Sequence, residues 1–188
     1  MNTEDNIKQD GWSMFIHGGN LYARNKDIKD APFKLIDKAT MKFSEDAAPV
    51  TYADEETKKR FSWTDVTTNP PMQSDDNSLY RWCGVTPITS DGTFIYILVQ
   101  YYESETEADH TKRKAMYFEK YELSESNVLK FVHEQKLYTE DMSNFIGRVT
   151  KNDDAKGGYL NHGTLVCNGV HMIWLTRRFY HLFELDSG

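Results

Sequence analysis

Apolar and polar positions along this chain follow the short period of strands far more than the spacing of helices. Phe94-Ile-Tyr-Ile-Leu-Val-Gln-Tyr-Tyr102 is rich in β-branched and aromatic residues, which suit a pleated surface. Residues 115–123 and 128–137 follow with a similar pattern, joined by Ser124-Glu-Ser-Asn127, and read as a hairpin. Near the end, residues 163–167, 170–176 and 179–185 are three more short runs, with Asn168-Gly169 and Arg177-Arg178 at their turns. Asn-Gly between apolar runs is a strong short-range hairpin signal. The pattern predicts an all-β chain.

Three polar stretches interrupt it. Residues 45–78 carry acids, bases, Pro49, Pro70 and Pro71 and read as a charged insert. Within it, Asp54-Glu-Glu-Thr-Lys-Lys-Arg60 reads as a solvated loop. The alternative there is one helical turn with Asp54–Lys58 and Glu55–Lys59 pairs. Residues 103–114 run from Glu103, Glu105 and Glu107 to Lys112, Arg113 and Lys114, and are expected to form a long exposed hairpin loop. Residues 151–158 make a further polar turn region.

The chain also repeats itself. Phe15-Ile-His-Gly-Gly-Asn-Leu-Tyr22 aligns with Ile88-Thr-Ser-Asp-Gly-Thr-Phe-Ile-Tyr96 and with Leu165-Val-Cys-Asn-Gly-Val-His-Met-Ile-Trp174. Each copy is a strand, a Gly turn and a second strand with a central aromatic, and a third strand follows. The spacings, Gly19 to Gly92 and Gly92 to Gly169, are about 73 and 77 residues, longer than the ~40–50 residues of common blade repeats. Antiparallel four-stranded meanders of this kind are the units of a β-propeller, here two plus a partial third; the alternative is a β-sandwich. The expected units are 1–44, the insert 45–78, then 79–140 and 141–188. Since propellers close with four or more blades, the count leads us to expect a piece of a larger propeller, or one half completed by another chain.

His17-Gly-Gly-Asn-Leu-Tyr22 resembles the Gly-Gly and aromatic strand of kelch-like blades. Asp91-Gly-Thr-Phe-Ile-Tyr96 and Asn168-Gly-Val-His-Met-Ile-Trp174 resemble blade openings of propellers in giant intracellular scaffold and ubiquitin-ligase proteins. The resemblance spans about half the chain. It implies a scaffold that recruits substrates or organises a ligase whose catalytic Cys lies elsewhere.

Composition narrows the classes. With 188 residues, 10 Phe, 11 Tyr and 4 Trp, the chain can bury a real core without disulfide or metal. The apolar run 94–99 is far short of the ~20 residues of a spanning helix. A net charge of -7 makes nucleic acid an unlikely partner, and the basic groups Lys58-Lys-Arg60, Lys112-Arg-Lys114 and Arg177-Arg178 read as solvated loop faces. Cys83 and Cys167 read as small buried hydrophobes. A polar first segment without an apolar core points to no signal peptide, so the expected location is cytoplasmic.

Chemistry is sparse. His162, Cys167 and His171 cluster around a hairpin but lack a fourth ligand at zinc spacing, so incidental hairpin residues are the expectation. The nucleophile elbow, dinucleotide fingerprint and P-loop are all missing. Asp75-Asp76 and Asp153-Asp154 do not match a calcium loop. Thr89-Ser-Asp-Gly-Thr-Phe94 resembles a sialidase hairpin but lacks its spacing, and Arg81, Arg148, Arg177 and Arg178 do not suggest an arginine triad. The expectation is therefore a non-catalytic interaction scaffold without cofactor or metal, whose partner is a protein or the remainder of a larger chain. A ligand- or glycan-binding or hydrolysing propeller and a standalone β-sandwich adaptor are the alternatives. Binding residues are expected on the loops: Arg81 and Trp82; Glu103, Glu105, Glu107, Lys112, Arg113 and Lys114; Arg177 and Arg178.

Overall fold

The computed structural model describes residues 13–25, 27, 28, 30–64, 70–74, 79–83, 87–103, 105, 113–137, 164–175 and 180–186. They form mostly antiparallel β structure with one short helix. The first sheet is β1 (Ser13–His17), β2 (Asn20–Arg24), β3 (Lys34–Asp37) and β4 (Lys42–Phe43), in that order. The third is β12 (Thr164–Cys167), β13 (His171–Leu175) and β14 (Tyr180–Glu184), also in chain order. Between them lies a 7-stranded sheet. Its centre is a meander of β8 (Ile88–Ser90), β9 (Phe94–Tyr102), β10 (Arg113–Leu123) and β11 (Val128–Lys136). It is extended by β5 (Thr51–Tyr52), parallel to β11, and by β7 (Tyr80–Trp82) with β6 (Met72–Gln73). β8 and β7 share one edge of β9: Ser90 pairs with Ile95 at the near end, and Trp82 with Gln100 at the far end.

The three meanders stack in chain order, and β9 shows why. Its residues from Ile95 to Tyr102 are all buried, on both faces. Ile95, Ile97 and Val99 join Ile88, Tyr121 and Leu129 in one core, which the first sheet completes with Phe15, Tyr22 and Phe33. Tyr96 and Leu98 join Met116 and Phe118 in a second core, completed by Leu165, Met172 and Trp174 of the third sheet. A sheet covered on both sides reads as a continuous apolar run rather than an alternation, as residues 94–102 do. At the edge, β8 contacts β1 on one side and β12 on the other, so the first strands of the three meanders stand in a row. A hydrogen bond between His17 Nδ1 and Ser90 Oγ, 2.8 Å, ties the first two of them.

The repeat predicted from sequence has a structural counterpart in its turns. The Thr93 and Phe94 amides donate to Asp91 Oδ1 at 2.8 and 2.7 Å, and the Val170 and His171 amides donate to Asn168 Oδ1 at 3.0 and 2.7 Å. In both turns the next residue is a glycine at positive φ, 96° at Gly92 and 86° at Gly169, where a side chain would be strained.

Several expectations are corrected. Residues 54–60 are not a solvated loop: α1 (Glu55–Phe61) forms there, capped by Asp54, whose Oδ1 accepts from the Thr57 amide at 2.7 Å. Its ion pairs are Lys58–Glu55 and Arg60–Glu56, rather than the pairs anticipated. The insert 45–78 also supplies Val50 and Phe61 to the first core. Phe61 makes edge-on contacts with Phe33 and Tyr121 at 5.8 and 4.9 Å, so the helix is wedged between the first two meanders. Of the predicted loop 103–114, Arg113 and Lys114 belong to β10.

Candidate functional site

The most concentrated chemistry in the described residues is a buried ionic network behind α1. Arg81 on β7 donates from Nε and Nη2 to the two oxygens of Glu119 on β10, at 2.9 and 2.6 Å. Arg60 adds Nη1 bonds of 3.1 Å to Glu119 and 2.9 Å to Glu134, and an Nε bond of 2.7 Å to Glu56. The Tyr121 hydroxyl donates to Glu119 Oε2, the oxygen that also accepts from Arg81 Nη2. Burial works against the charge on Glu119, but Arg81, the hydroxyl of Tyr121 and Arg60 outweigh it and hold its carboxyl below the usual carboxylate range. Burial pushes the Tyr121 phenol well up, as does the adjacent Glu119. The arrangement is that of a structural clasp joining α1, β7, β10 and β11.

That clasp changes the reading of the predicted site residues. Arg81 is 2% exposed and bidentate to Glu119, so its guanidinium is not offered to a partner. Trp82 is half-buried and meets the Tyr102 ring edge-on at 6.5 Å. Glu103 and Glu105 are exposed where the chain leaves β9. Arg113 and Lys114 open β10, with Arg113 in register with Tyr102. Glu107, Lys112, Arg177 and Arg178 lie outside the described residues. Of the predicted groups that are described, Arg81 is held inside the fold, while Glu103 and Glu105 are exposed. Both cysteines are free: Cys83 is buried, and Cys167 is half-buried, with its thiol raised by that burial and its sulfur accepting the Gly169 amide at 3.3 Å. Among the described residues no group of three or more His, Cys, Asp or Glu could hold a metal ion, and His162 lies outside them. No helix among them is long and apolar enough to cross a membrane.

Large apolar side chains stand exposed on two of the sheets. On the first sheet, Met14 and Ile16 of β1 are 53% and 64% exposed, whereas Ala23 and Ile36, on the same face by register, are buried. On the third sheet, the face opposite Met172 and Trp174 carries Val166, Leu175, Tyr180 and Leu182, the last two 75% and 62% exposed. Register places Val166, Ile173 and Leu182 side by side across its three strands, with Leu175 beside Tyr180. On the third sheet these side chains form contiguous rows rather than scattered positions. Sequence reasoning looked for partners on charged loops and missed them. The available signal was that residues 165–175 are apolar at almost every position, unlike a strand with one wet face.

A cavity of about 510 Å³ opens between the first sheet and residues 44–50. Tyr22 and Phe33 line it together with Asp30 and Lys34, which pair with each other at 3.1 Å, and with Glu45. Its described lining thus holds two acids, Asp30 and Glu45, and no arginine. In comparisons with known proteins, no family model matches the chain, and no curated protein or solved structure matches it.

Proposed function

We propose that this chain is a non-catalytic β-propeller segment that serves as a protein–protein interaction scaffold. The observation that carries the reading is the stacking sense. In the β-pairing register, Tyr22 opposite Phe15 corresponds to Tyr96 opposite Thr89. Tyr22 packs forward on the second meander and Tyr96 packs forward on the third. The first and second meanders therefore each turn the same face to the next one along the chain, with the first strands in a row, as blades around an axis do. Two separate cores, one on each face of β9, are the opposite of what a closed sandwich adaptor requires.

The scaffold role rests on surfaces rather than on a reactive centre. Glu103 and Glu105 are exposed just after β9, and connections between strands are a usual place for partner contacts. Association with a ubiquitin ligase is supported only by the resemblance of Asp91-Gly and Asn168-Gly to blade openings. The test is affinity capture with the triple charge reversal Glu103→Lys, Glu105→Lys, Glu107→Lys. Loss of the proteins captured by the parent chain, with unchanged thermal unfolding, supports the reading; unchanged recovery rejects the loop as the contact.

A further inference from the structure

We propose that the cavity between the first sheet and residues 44–50 binds an arylalkylamine, a small molecule with a protonated amine and a polar ring substituent on an apolar body. The proposal goes beyond the scaffold reading and does not depend on what its loops contact. A volume of about 510 Å³ falls within the roughly 300–1,000 Å³ of small-molecule sites. The space follows from side-chain size. In the same junction Phe15, Tyr22, Phe33 and Phe61 pack ring against ring, with centroids 5.0 to 5.8 Å apart. Residues 44–50 bring Ala47, Ala48 and Pro49 to the lining instead, which are too small to fill it. The walls are also fixed before any ligand arrives. The Ser44 amide donates to the Leu35 carbonyl at 3.0 Å, and the Thr51 amide to the Asn127 carbonyl at 2.9 Å. Asn127 Nδ2 donates to the Ala48 carbonyl at 3.4 Å. A site built in advance loses little of its binding energy to ordering.

Three features of the lining select the ligand. Phe33, Leu35 and Val50 supply an apolar wall, which favours a ring or short hydrocarbon body over water. Tyr22 is 6% exposed, yet its hydroxyl makes no hydrogen bond among the described residues. A phenol so buried ordinarily has a partner, and a polar substituent on the ligand ring would supply it. The third feature is charge. Asp30 and Lys34 neutralise each other at 3.1 Å, whereas Glu45 has no ion pair among the described residues. The described lining thus carries two acids against one base, which favours a cation over an anion of the same shape.

Backbone amide spectra of the nitrogen-labelled chain, titrated at neutral pH with three probes, test the proposal. Tyramine carries all three features, phenethylamine lacks the ring hydroxyl, and para-hydroxyphenylacetate replaces the ammonium by a carboxylate. Saturable shifts are expected at Tyr22, Leu35, Ala47 and Ala48, with tyramine the tightest. Loss of the hydroxyl is expected to weaken binding about 2–10-fold, and the carboxylate at least about 3–5-fold. Tyr22→Phe should make tyramine and phenethylamine equal, and Glu45→Gln should narrow the gap between tyramine and the acid. Ala47→Leu fills the space and should abolish binding of all three. Glu45 is exposed and the Tyr22 hydroxyl has no partner to lose, so parent-like spectra are expected for both variants without ligand. The absence of saturable shifts with about 10 mM tyramine overturns the proposal. So do shifts confined to other strands, an acid that binds as tightly as the amine, a tyramine preference that survives Tyr22→Phe, or binding unchanged in a folded Ala47→Leu chain.

Discussion

At the scale of single residues, Glu119 and Arg81 are the pair on which most depends. Both are fully buried, and removing one partner leaves an uncompensated charge in the interior. Arg81→Met is expected to cost about 3–5 kcal/mol in urea unfolding, whereas Arg81→Met combined with Glu119→Leu costs less than either change alone. The same residues set an acid limit. The folded carboxyl of Glu119 lies below its ordinary value of 4.5, so its contribution is complete above that value and is lost as pH falls through the lower, folded value. His17 acts in a different window. Burial lowers its imidazole from the ordinary 6.5, against the opposing pull of Asp91, so the fold favours its neutral form. Its contribution is complete above 6.5 and is lost as pH falls from there to the folded value. Urea midpoints measured from pH 8 to 3 are expected to fall in two stages. His17→Gln should flatten the first stage and Glu119→Gln the second, in a scan over roughly that range.

At the scale of elements, β9 is the strand that both cores share. Leu98→Ala opens a cavity in the second core, and Ile97→Ala one in the first, each expected to cost about 2–5 kcal/mol because both side chains are fully buried. The direction of propagation differs. Leu98→Ala should loosen the third sheet first, read as faster hydrogen exchange at β13 than at β2, and Ile97→Ala should do the reverse. The turns are the second controlling element. Gly92 is at φ 96° with open space around it, so Gly92→Ala meets no clash but pays backbone strain of about 1–2 kcal/mol, measurable as a lower urea midpoint. The helix is the element that local reasoning undervalued. Seven residues hold too few hydrogen bonds to be stable alone, so charge spacing within 54–60 was a weak guide. What makes α1 form is Phe61 between Phe33 and Tyr121, together with Arg60 reaching Glu119 and Glu134.

At the scale of the whole molecule, the second meander lies between its neighbours and couples them. Unfolding followed by Trp fluorescence and by far-UV circular dichroism is expected to coincide, because Trp174 is buried against the same sheet that packs on the first meander. Separate transitions would show that the meanders fold as independent units. Most of the strand pattern was readable locally: alternation and β-branched runs located the principal strands, and the Asp91-Gly and Asn168-Gly turns marked where two of the meanders open. Arg81 shows the limit of that reading. In sequence it is one base beside an aromatic, indistinguishable from a surface contact residue. Its role is fixed by Glu119, which the fold brings within hydrogen-bond reach from 38 positions further along the chain.

The sequence by itself determined the all-β character, the repeat and the principal turns, because strand period and glycine turn chemistry are properties of neighbouring residues. Only the tertiary structure decided which face of each meander is covered, that the charged insert contributes Phe61 to the core, and that Arg81 is spent internally. Those outcomes depend on which distant surfaces meet, and a polar or apolar residue carries no local mark of the partner that will bury it.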